Sequence, residues 1–260
     1  MAGLEGFLTN RIGFDIYYRY SGDPAPRGVV VACHGMFSHQ GNNDGKYHLL
    51  AMEGVRRGFG VMRFDFTGRG RSDGTFIHST LGRRIQDLED VVGFMTAESI
   101  GRSKPLFVVG SSMGGAVAIC FAARHARLLR GLVTWAAPAN MAWNMQCLSP
   151  TLHARLKNGK PAMVIDHGAE YLFTPGFLAD LEQHVPDRDI TGSGLVPKLL
   201  IHGGRDLTVA PENADRLFAA APESTRLLRY PDSDHRFLGD EEQLINDTLS
   251  FMEAVGGYYV

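Results

Sequence analysis

Gly110-Ser111-Ser112-Met113-Gly114 stands between an apolar run, Leu106 to Gly110, and a small-residue stretch of helical character, Gly114 to His125. A chain that passes this abruptly from a buried strand into a helix has little conformational choice at the junction. The turn forces its central serine into strained backbone, leaves room only for glycine two residues before and two after, and aims the helix N-terminus at the hydroxyl. A serine hydroxyl is a poor nucleophile at neutral pH unless a base takes its proton and amides receive the developing oxyanion. Ser112 is therefore the candidate nucleophile.

The same Gly-x-Ser-x-Gly pattern recurs at Gly70-Arg71-Ser72-Asp73-Gly74, after an apparent strand over Gly60 to Phe66. The downstream residues separate the two. Ser72 leads into the loop GTFIHSTLG, whereas Ser112 leads straight into a helix. Ser72 is read as a turn residue.

Strand-like and helix-like segments alternate over most of the chain. FLTNRIGFDIYYRY and RGVVVACHG read as the first strands, and YHLLAMEGVRRG as a helix before the strand GVMRFDF. Ile85, Leu88, Val92 and Met95 recur at helical spacing before PLFVVG; AVAICFAARHARL precedes GLVTWAAP; and ENADRLFAAA lies between KLLIHGG and STRLLRYP. A final helix from about Glu241 to Val255 puts Leu244, Ile245, Thr248, Leu249 and Met252 on one face. This alternation predicts an α/β fold, a mostly parallel sheet with helices on both faces, as one domain over residues 1–260. Residues 139–196 break the rhythm, being rich in Met, aromatic, Pro and Gly residues without a tidy βα unit. They are expected to form a small cap over the strand ends.

A net charge of −2 argues against nucleic acid or an anionic membrane surface as the main partner. The expected ligand is small and weakly charged. The longest apolar run, near Ala116 to Ala123, is far short of a membrane span, and the N-terminal MAGLEGFLTNR lacks the order of a signal peptide. A soluble, cytoplasmic protein is expected. The three cysteines, Cys33, Cys120 and Cys147, are too few and too scattered for a disulfide framework or metal knuckle, and Cys33 and Cys120 are expected to pack as small apolar side chains.

Two further candidates come directly after strands: Asp206 in KLLIHGGRDLTVAP and His235 in LLRYPDSDHRF. With Ser112 they give the order Ser, Asp, His. On these three motifs the chain resembles the α/β-hydrolase superfamily over nearly its whole length. The resemblance implies the α/β-hydrolase fold, with Ser112 as nucleophile, His235 as base and Asp206 as the acid that orients it, Asp232 and Asp234 being the alternative carboxylates. His34-Gly35-Met36-Phe37 looks like the family's oxyanion loop, in which the backbone amides of Met36 and Met113 would hold the oxyanion. DFTGRGRSDG, from Asp65, is similar to the loop after the next strand in many members. Within the superfamily the layout looks most like the small feruloyl and cinnamoyl esterases and the monoacylglycerol-lipase and serine-aminopeptidase-like group.

His34 is read as structural, holding that loop. His34, His39 and His48 with Asp44 fit no metal-site spacing, and no cofactor is expected, since neither the Gly68, Gly70, Gly74 series nor Gly45-Lys46 matches a nucleotide loop. Phe37, Trp143, Met145, Tyr171 and Phe173 are candidates for the substrate pocket, with packing of the cap as the competing role for the last four. The resemblance implies a carboxylesterase, and a cap as short as residues 139–196, set over the strand ends, is expected to enclose a small acyl group or a single aromatic ring and so to favour short-chain or aryl esters. The same machinery serves aminopeptidase-like, thioesterase and monoacylglycerol-lipase chemistry, and a hydrolase fold can also act as a ligand receptor without turnover.

Overall fold

The computed structural model of the chain describes residues 3–23, 25–41, 45–98, 100 and 103–257. Met1 and Ala2 of the N-terminal stretch, and Asp44 of the metal reading, lie outside them. In chain order, β1 (Gly3–Thr9), β2 (Asp15–Ser21) and β3 (Gly28–Cys33) lead to α1 (Lys46–Arg56), β4 (Phe59–Phe64) and α2 (Leu81–Ala97). Then come β5 (Leu106–Ser111), α3 (Met113–His125) and β6 (Leu129–Trp135). The segment expected to cap the strand ends, named the cap for that expectation, is next: α4 (Met141–Leu148), α5 (Pro150–Lys157), β7 (Ala162–Asp166), β8 (Ala169–Phe173), α6 (Pro175–Gln183) and the short α7 (Pro186–Asp189). The chain closes with β9 (Lys198–Gly203), α8 (Glu212–Ala220), β10 (Thr225–Tyr230) and α9 (Glu241–Gly256).

Eight strands form one sheet in the order β1-β2-β4-β3-β5-β6-β9-β10. β1 and β2 pair antiparallel, as do β2 and β4, and every later neighbour is parallel. Parallel strands are buried on both sides, and β3, β4 and β9 are buried at every position. Successive side chains therefore feed opposite cores. Val29, Val31 and Cys33 join α2, α3 and the cap in one cluster, while Val30 and Ala32 join α1 and α9 in the other. None of the helices among the described residues is long and apolar enough to cross a membrane.

α2 shows how local sequence sets the packing. Leu81, Ile85, Leu88, Val92 and Met95 make the buried stripe expected of an amphipathic helix, and the Thr80 side chain caps the first turn by accepting from the Arg83 amide. Arg84 and Asp87 also lie on that stripe. They are fully buried, so each must find polar partners inside the fold.

Between β6 and β9 the cap is mostly helical. Its one sheet among the described residues is the β7–β8 hairpin, which pairs Met163 with Leu172 and Ala162 with Phe173. Tyr171 and Phe173 point inward and Leu172 outward. The inward pair meets Phe37, Phe76 and Phe177 in an aromatic cluster with ring separations of 4.7 to 6.2 Å.

Candidate active site

β5 ends on Ser111 and α3 begins on Met113, with Ser112 held between them at φ 54° and ψ −125°. A positive φ is strained for a residue with a side chain. The flanking glycines are imposed by contact: a Cβ on Gly110 would lie 2.2 Å from the Gly114 carbonyl oxygen, and one on Gly114 would lie 2.0 Å from that of Cys33. The Ser112 amide donates to the Trp135 carbonyl at 2.8 Å, and its hydroxyl takes no part in capping α3. The hydroxyl is thus presented at a helix N-terminus.

Ser72 is placed quite differently. Its hydroxyl donates to the Asp65 carbonyl at 2.6 Å and accepts from the Tyr17 amide at 2.8 Å, tying β2 to the loop after β4. Ser72 is a turn residue, as its downstream sequence implies.

Asp206 sits in the loop after β9 and His235 in the loop after β10, so the parallel pairing of these strands brings the two side chains together. Asp206 Oδ2 lies 2.7 Å from His235 Nδ1, and Oδ1 accepts from the amides of Thr208 and Val209, each at 2.8 Å. His202, at the end of β9, shares its Nε2–H between the Val209 carbonyl at 2.8 Å and the same carboxylate at 3.3 Å. Burial alone would push the Asp206 carboxyl up, but the hydrogen bonds from His202 and His235 outweigh it, and the pKa falls well below the ordinary carboxylate range. An ionised carboxylate only accepts, so Nδ1 carries the proton and Nε2 keeps its lone pair. Asp232 pairs with Arg205 and Asp234 accepts from the Arg236 amide, so neither alternative acid orients the imidazole.

Ser112 and His235 border one cavity of about 550 Å³, together with Gly35, Met36 and Met113. None of the hydrogen bonds among the described residues joins the hydroxyl to the imidazole, a looseness that catalytic pairs commonly show until substrate draws them together. His34 is buried with both ring nitrogens engaged: Nδ1 donates to the Gly35 carbonyl at 2.8 Å and Nε2 accepts from the Phe66 amide at 3.1 Å. Burial, reinforced by the nearby Arg84 charge, holds its pKa well below the usual histidine value. It is a neutral structural residue in this arrangement. Cys33 and Cys120 are buried, as expected, and Cys147 is exposed.

Of the five pocket candidates only Phe37 lines the cavity; Trp143, Met145, Tyr171 and Phe173 do not. Tyr171 and Phe173 face the aromatic cluster beneath the hairpin, Met145 packs into the main core, and Trp143 lies under the Arg216 guanidinium at 5.1 Å. The cap instead contributes Met141, Asn144 and Leu148 from α4 and Asp166 and His167 from the hairpin tip. Sequence reasoning singled out neither Arg84 nor His202. A charged residue on the apolar stripe of α2 was the available signal for Arg84, whereas His202 resembled one more residue of a buried strand.

A mostly parallel sheet carrying a strand-to-helix serine, with an Asp-His pair on later strand ends, is the architecture of the α/β hydrolases. The model of the family described as "Serine aminopeptidase, S33" matches residues 24–171. The chain belongs to that family. It is 28% identical over 96% of its length to a monoacylglycerol lipase of Mycolicibacterium smegmatis, covering 95% of that protein. Among solved structures, a putative hydrolase of Agrobacterium vitis S4 superposes with a TM-score of 0.79 at 20% identity, over 96% of this chain and 99% of the other. Est1E of Butyrivibrio proteoclasticus, solved with ferulic acid bound, superposes with a TM-score of 0.78 at 17% identity, over 96% and 98%. The two solved structures thus share this chain's fold from end to end.

Proposed function

We propose that this chain is a serine hydrolase of carboxylic esters, with small acyl or aryl groups as its substrates. The observation that carries the reading is the 2.7 Å pairing of Asp206 with His235 at a cavity that Ser112 also borders. Ser112 Oγ attacks the ester carbonyl as His235 Nε2 removes its proton. The tetrahedral oxyanion is met by the Met36 and Met113 amides. His235 then returns the proton to the leaving alcohol, leaving an acyl-enzyme on Ser112, and water repeats the sequence to free the acid. Asp206 stays ionised throughout and stabilises the imidazolium. Nucleophile, base and oxyanion donors all come from the chain, so the scheme calls for no cofactor.

The test is fluorophosphonate labelling combined with turnover of p-nitrophenyl butyrate. Stoichiometric labelling and turnover that both vanish in Ser112→Ala support the proposal. A protein that binds esters without releasing acid is instead a receptor on a hydrolase fold. Monoacylglycerol is a second reading, favoured by the similarity to the mycobacterial lipase across nearly the whole chain. Faster release of fatty acid from 1-monooleoylglycerol than from every short ester would select it.

A further inference from the structure

Four consecutive backbone carbonyls of the loop after β3 are held by two arginines. Arg84 donates from Nη1 to the Gly35 carbonyl at 3.1 Å and from Nη2 to the Met36 carbonyl at 2.9 Å. Arg69 donates from Nη2 to the Phe37 carbonyl at 2.5 Å and from Nε to the Ser38 carbonyl at 3.2 Å. Arg84 is fully buried and its Nε is fixed by Ser79 Oγ at 3.1 Å, so its fork has a single orientation. Arg69 is steadied from the cap, where the Tyr171 hydroxyl lies 3.2 Å from Nη2 and the ring 4.9 Å from the guanidinium.

The geometry of the peptide unit gives this clamp a catalytic meaning. In a trans peptide the carbonyl and the next amide point in opposite directions. The Gly35 carbonyl is drawn toward Arg84 and the His34 ring, so the Met36 N–H is turned the other way, and Met36 borders the cavity. Among the described residues that amide has no hydrogen-bond acceptor. The loop also passes close to the nucleophile: a Cβ on Gly35 would lie 3.5 Å from that of Ser112. A guanidinium suits this task because its planar fork reaches two carbonyls at once, which a lysine ammonium on a single stem does not reproduce.

We infer that Arg84, assisted by Arg69, is a positioning residue that presets the oxyanion hole by fixing the carbonyl side of residues 35–38. The inference rests on the ester-hydrolase reading above. Preorganised donors act on the charge that develops in the transition state and hardly at all on the bound ester. Loosening them should lower kcat while sparing KM.

The experiment compares wild type, Arg84→Lys, Arg84→Met and Arg69→Met, each normalised to active sites counted with a fluorophosphonate and checked by thermal melting. The readouts are kcat, KM and the inhibition constant of n-butylboronic acid, which forms a tetrahedral adduct on serine. For folded Arg84→Met we expect kcat to fall roughly 100-fold, in the range seen when an oxyanion donor is lost, with boronate affinity falling in parallel and KM within about threefold. Arg84→Lys should recover only a small part. If Arg84→Met does not fold, Arg69→Met decides, with an expected loss of about tenfold in the same pattern. Unchanged kcat per active site in the folded variants, or a loss that appears only in KM, overturns the inference while leaving the hydrolase reading intact. A wild-type protein without ester turnover overturns both.

Discussion

His235 Nδ1 and Asp206 Oδ2 stand 2.7 Å apart although their residues lie on different loops, because β9 and β10 are parallel neighbours and deliver both side chains to the same edge of the sheet. The carboxylate fixes the imidazole tautomer and leaves the Nε2 lone pair free for the base role of the proposed mechanism. Asp206→Asn offers an amide to Nδ1 in place of a pure acceptor and so favours the other tautomer. A loss of about 10⁴-fold in kcat is expected, with far-ultraviolet circular dichroism unchanged. Near-normal turnover by this variant would transfer the role to another carboxylate.

The two Gly-x-Ser-x-Gly segments should separate cleanly by mutation. Ser112→Ala is expected to remove turnover, by about 10⁴ to 10⁶-fold in kcat, with stability close to wild type. Ser72→Ala should do the reverse. It deletes the hydroxyl that joins Asp65 and Tyr17, so it should lower stability by roughly 1 to 2 kcal/mol while activity stays within a few-fold. Urea melts and steady-state rates on both variants read this out, and the opposite pattern would exchange the two assignments.

Two helical glycines should respond in opposite senses to alanine. At Gly114 the added methyl would sit 2.0 Å from the Cys33 carbonyl, a backbone atom that cannot step aside, so a loss of about 3 kcal/mol or more is expected. Gly93, exposed on α2, has nothing within 4 Å of the same position. There alanine should raise stability by about 0.5 to 1 kcal/mol through helix propensity alone. Chemical denaturation of the two variants is sufficient, and a stable Gly114→Ala protein would contradict the tight elbow.

These contrasts also mark which parts of the molecule were readable from residue order. The elbow was legible because steric exclusion around Ser112 leaves its trace as Gly110 and Gly114. The sheet was legible because strands buried on both faces must be continuous apolar runs, as in Val29 to Cys33. The pocket was not. Tyr171 and Phe173 have the character of pocket residues, but which side of the β7–β8 hairpin faces the substrate depends on tertiary placement, and both point into the aromatic cluster. Arg84 was equally hidden: its position on the buried stripe of α2 signals an internal partner, yet the partner is backbone, whose position no side-chain pattern encodes.

Acid should weaken the fold through His34. Its folded pKa is held below the unfolded value of about 6.5, so the unfolded chain binds a proton that the folded chain refuses, and stability is lost as pH falls from about 6.5 toward the folded value. This group contributes a slope of at most about 1.4 kcal/mol per pH unit. The depressed carboxyl of Asp206 adds a second loss only lower down, beginning near the unfolded carboxylate value of about 4. Urea midpoints between pH 7.5 and 5 should show the first slope in wild type, and His34→Asn, though less stable overall, should flatten it. An equal slope in both would remove His34 as its source.

Selectivity should track the wall of the cavity rather than the aromatic residues of the cap. Its apolar lining comes from Met36, Phe37, Met113, Met141, Leu148, Leu207 and Val209, while Asp166, His167, Arg205, Asp234 and Arg236 bring polar groups to the same space. A volume of about 550 Å³ shared between acyl and alcohol portions favours small groups on the acyl side. Each methylene that fits an apolar wall is worth roughly 1 to 3 kcal/mol in kcat/KM, so the rate should climb from acetate, reach an optimum among the short chains and fall once the wall is met. Met141, buried on α4 and part of that wall, is the residue to cut back. Met141→Ala should move the optimum toward longer chains at some cost in stability, whereas Trp143→Ala, outside the cavity, should leave it where it is. The measurement is kcat/KM for p-nitrophenyl esters from acetate to palmitate, with methyl ferulate and an aminoacyl p-nitroanilide alongside. A maximum at palmitate in wild type would mean that the acyl chain leaves the cavity along the exposed surface, and anilide cleavage above every ester would turn the assignment toward peptide chemistry.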